Sequence, residues 1–139
     1  MSKRDGVAII LAALAFSLWG YGWYATLFDD VWQSLIGRSE QELIDMTVAR
    51  GQIQNILVIV ISLVQATGLW ALIKVTRAKT LFQHIGLGAL VATLIVMPAL
   101  GNATLFAGTP LALLILDYGH FLLGYMGIAL TLFLVKFIR

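Results

Sequence analysis

Hydrophobic residues dominate four long runs, which short polar stretches separate. The runs cover residues 6–28, 52–74, 83–100 and 111–136. Because about 20 apolar residues in a helix span the hydrocarbon core of a bilayer, each run is long enough for one transmembrane helix. The pattern predicts an all-α fold in which residues 1–139 form a single integral membrane domain, an up-down-up-down four-helix bundle.

The longest polar stretch, residues 29–50, joins the first two runs and carries helix signals of its own. Asp29 or Asp30 is suited to cap a short amphipathic helix, and Gly37 is suited to end it. Ser39 and Glu42 have the spacing of a capping box, so a second helix is expected to start there and continue toward the membrane. We expect this helical segment to lie along the membrane interface, with a solvated loop as the alternative.

The third run contains Pro98, which is predicted to kink the run or to end its regular helix, because proline lacks a backbone donor. Residues 101–110 are uncharged and rich in turn-forming residues, so they are predicted to form the link to the fourth run.

Composition supports the membrane prediction and removes several chemistries. The chain is 60% hydrophobic and 12% charged, with a mean hydropathy of +0.95, whereas soluble domains have about 25% charged residues. It has no cysteine, which excludes disulfides, thiolate metal sites and a cysteine nucleophile. The first run exceeds the roughly 7–15 apolar residues of a secretory signal, so we interpret it as a retained span.

Basic residues are distributed unevenly between the two predicted sides of the membrane. The side with the termini carries seven of the nine: Lys3, Arg4, Lys74, Arg77, Lys79, Lys136 and Arg139. The other side carries Arg38 and Arg50 among five acids: Asp29, Asp30, Glu40, Glu42 and Asp45. Since cytoplasmic loops carry the excess of Lys and Arg, both termini are predicted to be cytoplasmic.

Polar and small residues form one stripe along the fourth run at intervals of three and four. The stripe consists of Asp117, His120, Gly124, Gly127 and Thr131. A charged side chain facing lipid at this depth costs at least ~2.5–3.5 kcal/mol, so the stripe should face the other helices. Counting residues along each run places Ser17, Gly20, Ser62, Gln65 and Thr93 near the level of His120, with Tyr21, Tyr24 and Asn102 nearer Asp117 and the outer surface.

This polar layer has two interpretations. In the first, the polar and small residues serve helix packing, at about 0.6 kcal/mol for each side-chain hydrogen bond between helices, and Asp117 and His120 satisfy one another at i and i+3. In the second, they line an outward-facing cavity that takes up a small solute or cation or exchanges protons. The candidate ligand-binding residues are then Asp117, His120, Tyr21, Tyr24, Asn102 and Gln65.

Other familiar chemistries find little support. Asp117 and His120, with His84 near the opposite face, are too few for a metal site of three or four ligands. Ser17 and Ser62 do not lie in a sequence motif of catalytic serines. The glycine pairs at residues 20 and 22 and at residues 86 and 88 do not follow strands, as the glycines of a phosphate-binding loop would. The basic residues are too scattered to form a nucleic-acid-binding surface. We therefore expect no enzymatic activity, no cofactor, no metal and no nucleic-acid partner.

One short set of motifs resembles a known family. Residues 20–24, then Leu27, Phe28 and Trp32, follow the form G-x-x-W-Y…L-F-x-x-x-W. Residues 102–106, 108–110 and 117–120, ahead of Gly124 and Gly127, continue the likeness. In this the chain resembles a bacterial family of small four-span membrane proteins catalogued as a domain of unknown function. The resemblance implies a four-helix architecture and the bacterial inner membrane, and it implies no activity.

Three functional hypotheses follow. The first is binding or transport of a small solute or cation through the outward-facing cavity. The second is a structural or partner-binding membrane subunit without a ligand of its own, and the third is an intramembrane enzyme. Because four spans enclose little volume, a conducting pathway would need a homo-oligomer in the bilayer.

Overall fold

The computed structural model describes residues 2–135. Lys136 and Arg139, on which the predicted sidedness partly depends, lie outside these residues, as does the end of the predicted fourth run. Within the described range every regular element is helical, which confirms the all-α prediction. The helices are α1 (Lys3–Gly22), α2 (Asp29–Ile36), α3 (Glu40–Thr76), α4 (Leu81–Val91), α5 (Met97–Ala107) and α6 (Leu111–Leu134). Five-residue π-helical turns follow α1 at Trp23–Leu27 and join α4 to α5 at Ala92–Val96.

Four helical stretches are long and apolar enough to cross a membrane, in agreement with the four predicted runs. They are Lys3–Leu27, Glu40–Thr76, Leu81–Ala107 and Leu111–Leu134. Many of their large apolar side chains remain exposed, including Leu18 and Phe106, as expected where lipid surrounds the protein. Length and composition thus indicate a multi-pass membrane protein. The up-down order of the helices and the sides on which their ends lie stay predictions.

The signals around the first connection are confirmed in part. Gly37 ends α2 in the left-handed conformation, with φ of 65°, and Ser39 and Glu42 form the reciprocal capping box at the start of α3. The prediction that Asp29 or Asp30 caps α2 is wrong, because both already lie in its first turn. Asp29 instead accepts a hydrogen bond from Gln33 Nε2 at 2.8 Å. The segment is helical and not a loop, while its position along the membrane interface stays a prediction.

A break at Gly51 divides α3 into a polar first part and an apolar second part. Gly51 has φ of 55° and ψ of −146°, a conformation that a residue with a Cβ rarely adopts. The predicted second run begins at the next residue. The glycine therefore lets the chain change direction where its polarity changes.

The prediction of a link over residues 101–110 is wrong for most of its length. Helix α5 continues through residue 107, and only residues 108–110 connect it to α6. The π-helical turn just before α5 explains how the chain accommodates Pro98. The Met97 amide donates to the Ala92 carbonyl five residues back, so regular α-helix is interrupted and then restarts with Pro98 in its first turn. Proline is tolerated there because the first amides of a helix need no intrahelical acceptor.

The helices pack closely over only half of their length. Helix α6 lies between α1 and the α4–α5 stretch, and α3 packs mainly on α1. The packed half, as we call it, consists of residues 8–16 of α1, 66–73 of α3 and 125–132 of α6, whose buried side chains form the core. At its end Lys74 Nζ lies 3.1 Å from Asp5 Oδ1, so the start of α1 meets the end of α3. The functional candidates lie in the other half.

Candidate functional site

A cavity of about 620 Å³ lies between α1, α2 and the middle of α3. Its lining combines aromatic, polar and apolar side chains. They are Phe16, Ser17, Gly20, Tyr21, Tyr24, Ala25, Asp29, Trp32, Gln54, Asn55, Val58, Ile59, Ser62 and His120. We call this space the α1–α3 cavity. It occupies the half of the molecule opposite the Asp5–Lys74 ion pair.

The cavity exists because the apolar part of α3 begins well away from α1. Every residue from Ile56 to Ile61 is exposed, and α3 first becomes buried at Ser62 and then Ala66. Ser62 Oγ lies 3.0 Å from Ser17 Oγ on α1, at the point where the two helices come together. This pair of hydroxyl groups forms the lower boundary of the cavity.

His120 lies at the floor of the cavity and is 5% exposed. Neither of its ring nitrogens has a hydrogen-bond partner among residues 2–135. Its ring packs against those of Phe121, Tyr24 and Phe16, at centroid distances of 4.8, 4.9 and 5.3 Å. A buried polar group without a partner costs about 1–3 kcal/mol, so this imidazole is held at a cost in stability.

The notch at Gly20 makes room for the imidazole. A Cβ atom at Gly20 would lie 3.3 Å from His120 Nε2, closer than most side chains approach. The imidazole that occupies this notch comes from α6.

Asp117 is joined to the cavity through Tyr24. The Tyr24 hydroxyl donates a hydrogen bond of 2.7 Å to Asp117 Oδ1, and the Tyr24 ring lies between those of His120 and Trp32. The prediction that Asp117 and His120 satisfy one another is therefore wrong. Both side chains instead contact Tyr24: Asp117 accepts the hydrogen bond of its hydroxyl group, and the ring of His120 packs against its ring.

The structure unites four of the six predicted site residues. Tyr21, Tyr24 and His120 line the cavity, and Asp117 is bound to Tyr24. Gln65 is half-buried outside the lining, and its Oε1 atom has no partner within residues 2–135. Asn102 lies exposed on α5, also outside the lining. The predicted polar layer is thus split among different helix contacts.

Thr93 also lies away from the cavity. It is exposed on the π-helical turn between α4 and α5, and its hydroxyl is 2.9 Å from that of Tyr118. Counting residues along the run placed Thr93 at the depth of His120. The Thr93 side chain, however, points in a different direction around its helix axis.

Comparison with known proteins now gives the chain a family. A family model described as "Protein of unknown function (DUF1761)" matches residues 7–133. The chain belongs to the DUF1761 family. The resemblance seen in the sequence is confirmed to that extent, while a bacterial source and the short signature stay predictions. No curated protein and no solved structure matches.

Sequence reasoning missed four residues with polar side-chain groups that line the cavity of this DUF1761 member. Asp29 and Trp32 come from α2, and Gln54 and Asn55 come from the start of the apolar part of α3. Two adjacent amides at the start of an otherwise apolar run were a signal available in the sequence. No comparable signal showed that α2 folds toward them, since its amphipathic pattern suits a membrane surface equally well.

The DUF1761 site is equipped for binding by hydrogen bonds and aromatic faces. Its lining contains one carboxylate, that of Asp29, and neither lysine nor arginine. Within residues 2–135 there is no group of three or more His, Cys, Asp or Glu side chains that could hold a metal ion. What the cavity offers a ligand is an imidazole that has no hydrogen-bond partner within residues 2–135, together with hydroxyl and amide groups and several aromatic rings.

Proposed function

We propose that this protein binds a small solute in the α1–α3 cavity, with His120 as the hydrogen-bonding group at its floor. The observation that carries this proposal is the buried imidazole whose two ring nitrogens have no partner among residues 2–135, in a space of about 620 Å³. Ligand sites typically occupy about 300–1,000 Å³ and combine apolar walls with a few convergent polar groups. The cavity has both properties.

In this proposal the cavity opens toward the outer side of a bacterial inner membrane. Lys74 lies in the last turn of α3, where it meets Asp5, and Arg77 and Lys79 follow the helix. This excess of basic charge favours the cytoplasmic side for that end of the bundle. Both termini are then cytoplasmic. The cavity lies in the opposite half, which supports an outward opening.

Transport is the extension of this binding role. The packed half closes the cavity on the cytoplasmic side, because Ala12, Ala66 and Ala129 are completely buried there. Release to the cytoplasm would require these helices to separate. We propose that the protein acts as a homo-oligomer for any such movement, since four helices leave little room for a path of their own.

Cysteine labelling tests the central claim directly. The chain has no cysteine, so Ser17→Cys introduces a single thiol at the lower boundary of the cavity, at a position that is only half-buried. We expect a membrane-impermeant methanethiosulfonate reagent, added from the outer side of membrane vesicles, to modify this thiol. The matched control is Ala13→Cys, one turn earlier on the same helix and buried in the core, which should remain unmodified.

The labelling result decides the proposal. A thiol at position 17 that reacts only after the protein is unfolded would show that the cavity is not open to outside water. Equal reaction at positions 17 and 13 would show that α1 is loosely packed throughout, and would also contradict a defined cavity.

A second candidate function is a structural or partner-binding role without a ligand. One observation favours it: a Cβ atom at Gly127 would meet no other atom within 4 Å among the described residues. Gly127 and Thr131 line an apolar groove of about 350 Å³ between α1 and α6. In this alternative the groove receives a helix of a neighbouring subunit, since small residues let helices approach closely in membranes.

A further inference from the structure

The charges around the α1–α3 cavity favour a cation. Asp29 lines the cavity, Asp117 adjoins it through Tyr24, and the lining contains neither lysine nor arginine. The connecting segment near its mouth carries five acids against two arginines. Both arginines, Arg38 and Arg50, line a neighbouring groove that shares only Trp32 and Gln54 with the cavity. An anion that entered the cavity would lose its hydration and find no group of opposite charge there, whereas a cation would find a carboxylate.

The aromatic rings favour a cation of organic character. Phe16, Tyr21, Tyr24 and Trp32 all contribute to the lining. The face of an aromatic ring attracts a cation by about 0.5–2 kcal/mol, and more when water is excluded, so several rings can replace part of its hydration shell. An inorganic ion would instead require a shell of oxygen ligands, and the described residues contain no cluster of three or more acids and histidines.

The open side of the cavity favours a ligand with an apolar body. Val58 and Ile59 line it and are 45% and 46% exposed, and no residue from Ile56 to Ile61 is buried. This part of α3 lies within the stretch able to cross the membrane, so its exposed side chains contact hydrocarbon. A ligand can therefore occupy the cavity with its charge among the rings and carboxylates and its apolar part toward α3.

The geometry points to a lipophilic organic cation as the ligand, an inference that rests on the proposed binding function of the cavity. Protonated amines with aromatic or alkyl bodies and quaternary onium ions belong to this class. His120, Tyr24 and the amide oxygens of Gln54 and Asn55 supply hydrogen-bond acceptors for those members that carry N–H groups.

Two ions of matched shape and opposite charge provide the test. Tetraphenylphosphonium and tetraphenylborate are added separately to the full-length Ser17→Cys protein in lipid nanodiscs, and the labelling rate of the thiol by an uncharged maleimide is measured. We expect the phosphonium to slow labelling about tenfold when it is present at about ten times its dissociation constant, and the borate to have little effect. Ser34→Cys, an exposed position of α2 outside the lining, corrects for effects of either ion on the reagent.

A pair of neighbouring substitutions separates a specific contact from the general field. Asp29→Asn removes the carboxylate of the lining, and Asp30→Asn removes the same charge from an exposed position outside it. Asp29→Asn is expected to weaken phosphonium binding about tenfold and Asp30→Asn less than about twofold.

The possible outcomes distinguish this inference from the function on which it rests. Protection by the borate equal to that by the phosphonium, or equal effects of the two substitutions, would overturn the preference for cations while leaving the cavity accessible. A thiol at position 17 that does not react even without either ion would refute the binding function itself, and the inference with it.

Discussion

The packed half and the α1–α3 cavity are built from the same helices, yet one excludes solvent and the other does not. In the packed half, small residues face one another, and Ala12, Ala66 and Ala129 are completely buried. Around the cavity, α3 presents the bulky run of residues 56–61 with no small residue before Ser62. Close approach of helices in a membrane depends on small residues, because hydrophobicity gives no advantage over lipid. The distribution of small residues therefore decides where the bundle closes.

The largest effect is expected from Gly88→Ala in the packed part of α4. A Cβ atom there would lie 2.5 Å from the Tyr125 carbonyl oxygen, and backbone cannot move aside as a flexible side chain can. We expect a loss of about 3 kcal/mol in the free energy of unfolding, at the upper end of the usual cost of overpacking. Thermal unfolding of the protein in detergent measures it.

Gly86→Ala is the matched control on the same helix. A Cβ atom at Gly86 would meet nothing within 4 Å, and alanine is the better helix former by about 0.8–1.0 kcal/mol. Stability should rise slightly or stay unchanged. If both substitutions destabilised the protein equally, the close contact of α4 with α6 would be refuted.

Sequence reasoning succeeded where the signal is local. The apolar runs, the capping box of Ser39 and Glu42, and the helix end at Gly37 each depend on residues close together in the chain. It also placed Ser17 and Ser62 at a common depth, and their hydroxyl groups do meet.

Sequence reasoning failed where the position of a side chain depends on how its helix is rotated about its axis, or on a neighbouring helix. Counting residues gives the depth of Asn102 and Thr93, but both side chains are exposed away from the cavity. The pairing of Asp117 with Tyr24 instead of His120 depends on how α1 and α6 are rotated against each other. Pro98 correctly indicated an interruption of regular α-helix, but not that a π-helical turn would let the helix continue through residue 107.

The next effect concerns the polar contact beside the cavity. Tyr24→Phe removes the hydroxyl that donates to Asp117 and leaves a half-buried carboxyl group without this partner. The expected loss is about 1–2 kcal/mol in the free energy of unfolding. Tyr21→Phe is the control, because the Tyr21 side chain also lines the cavity but is 71% exposed. Equal losses for the two variants would show that the Tyr24–Asp117 bond contributes nothing to stability.

A smaller effect on stability is expected from Gly127→Leu, which addresses the alternative function. Leucine has space at this position and favours helix over glycine by about 0.8 kcal/mol, so the subunit should be stabilised slightly. If the groove receives a neighbouring subunit, leucine fills it and the oligomer dissociates, as native mass measurement in detergent would show. Asp117→Asn should leave the oligomer intact. An oligomer that survives Gly127→Leu would contradict the partner-binding role of the groove.

The smallest change in stability is expected from His120→Leu, at the floor of the cavity. Leucine removes two ring nitrogens that have no partner within residues 2–135, a gain of about 1–3 kcal/mol. It also removes ring contacts with Phe121, Tyr24 and Phe16, which are worth about 0.5–1.5 kcal/mol each. These contributions oppose each other, so the free energy of unfolding should change by less than about 1 kcal/mol, while protection of the thiol at position 17 by the phosphonium should weaken. A loss of stability as large as that of Gly88→Ala would mean that the imidazole is part of the packed half and is not available to bind a ligand.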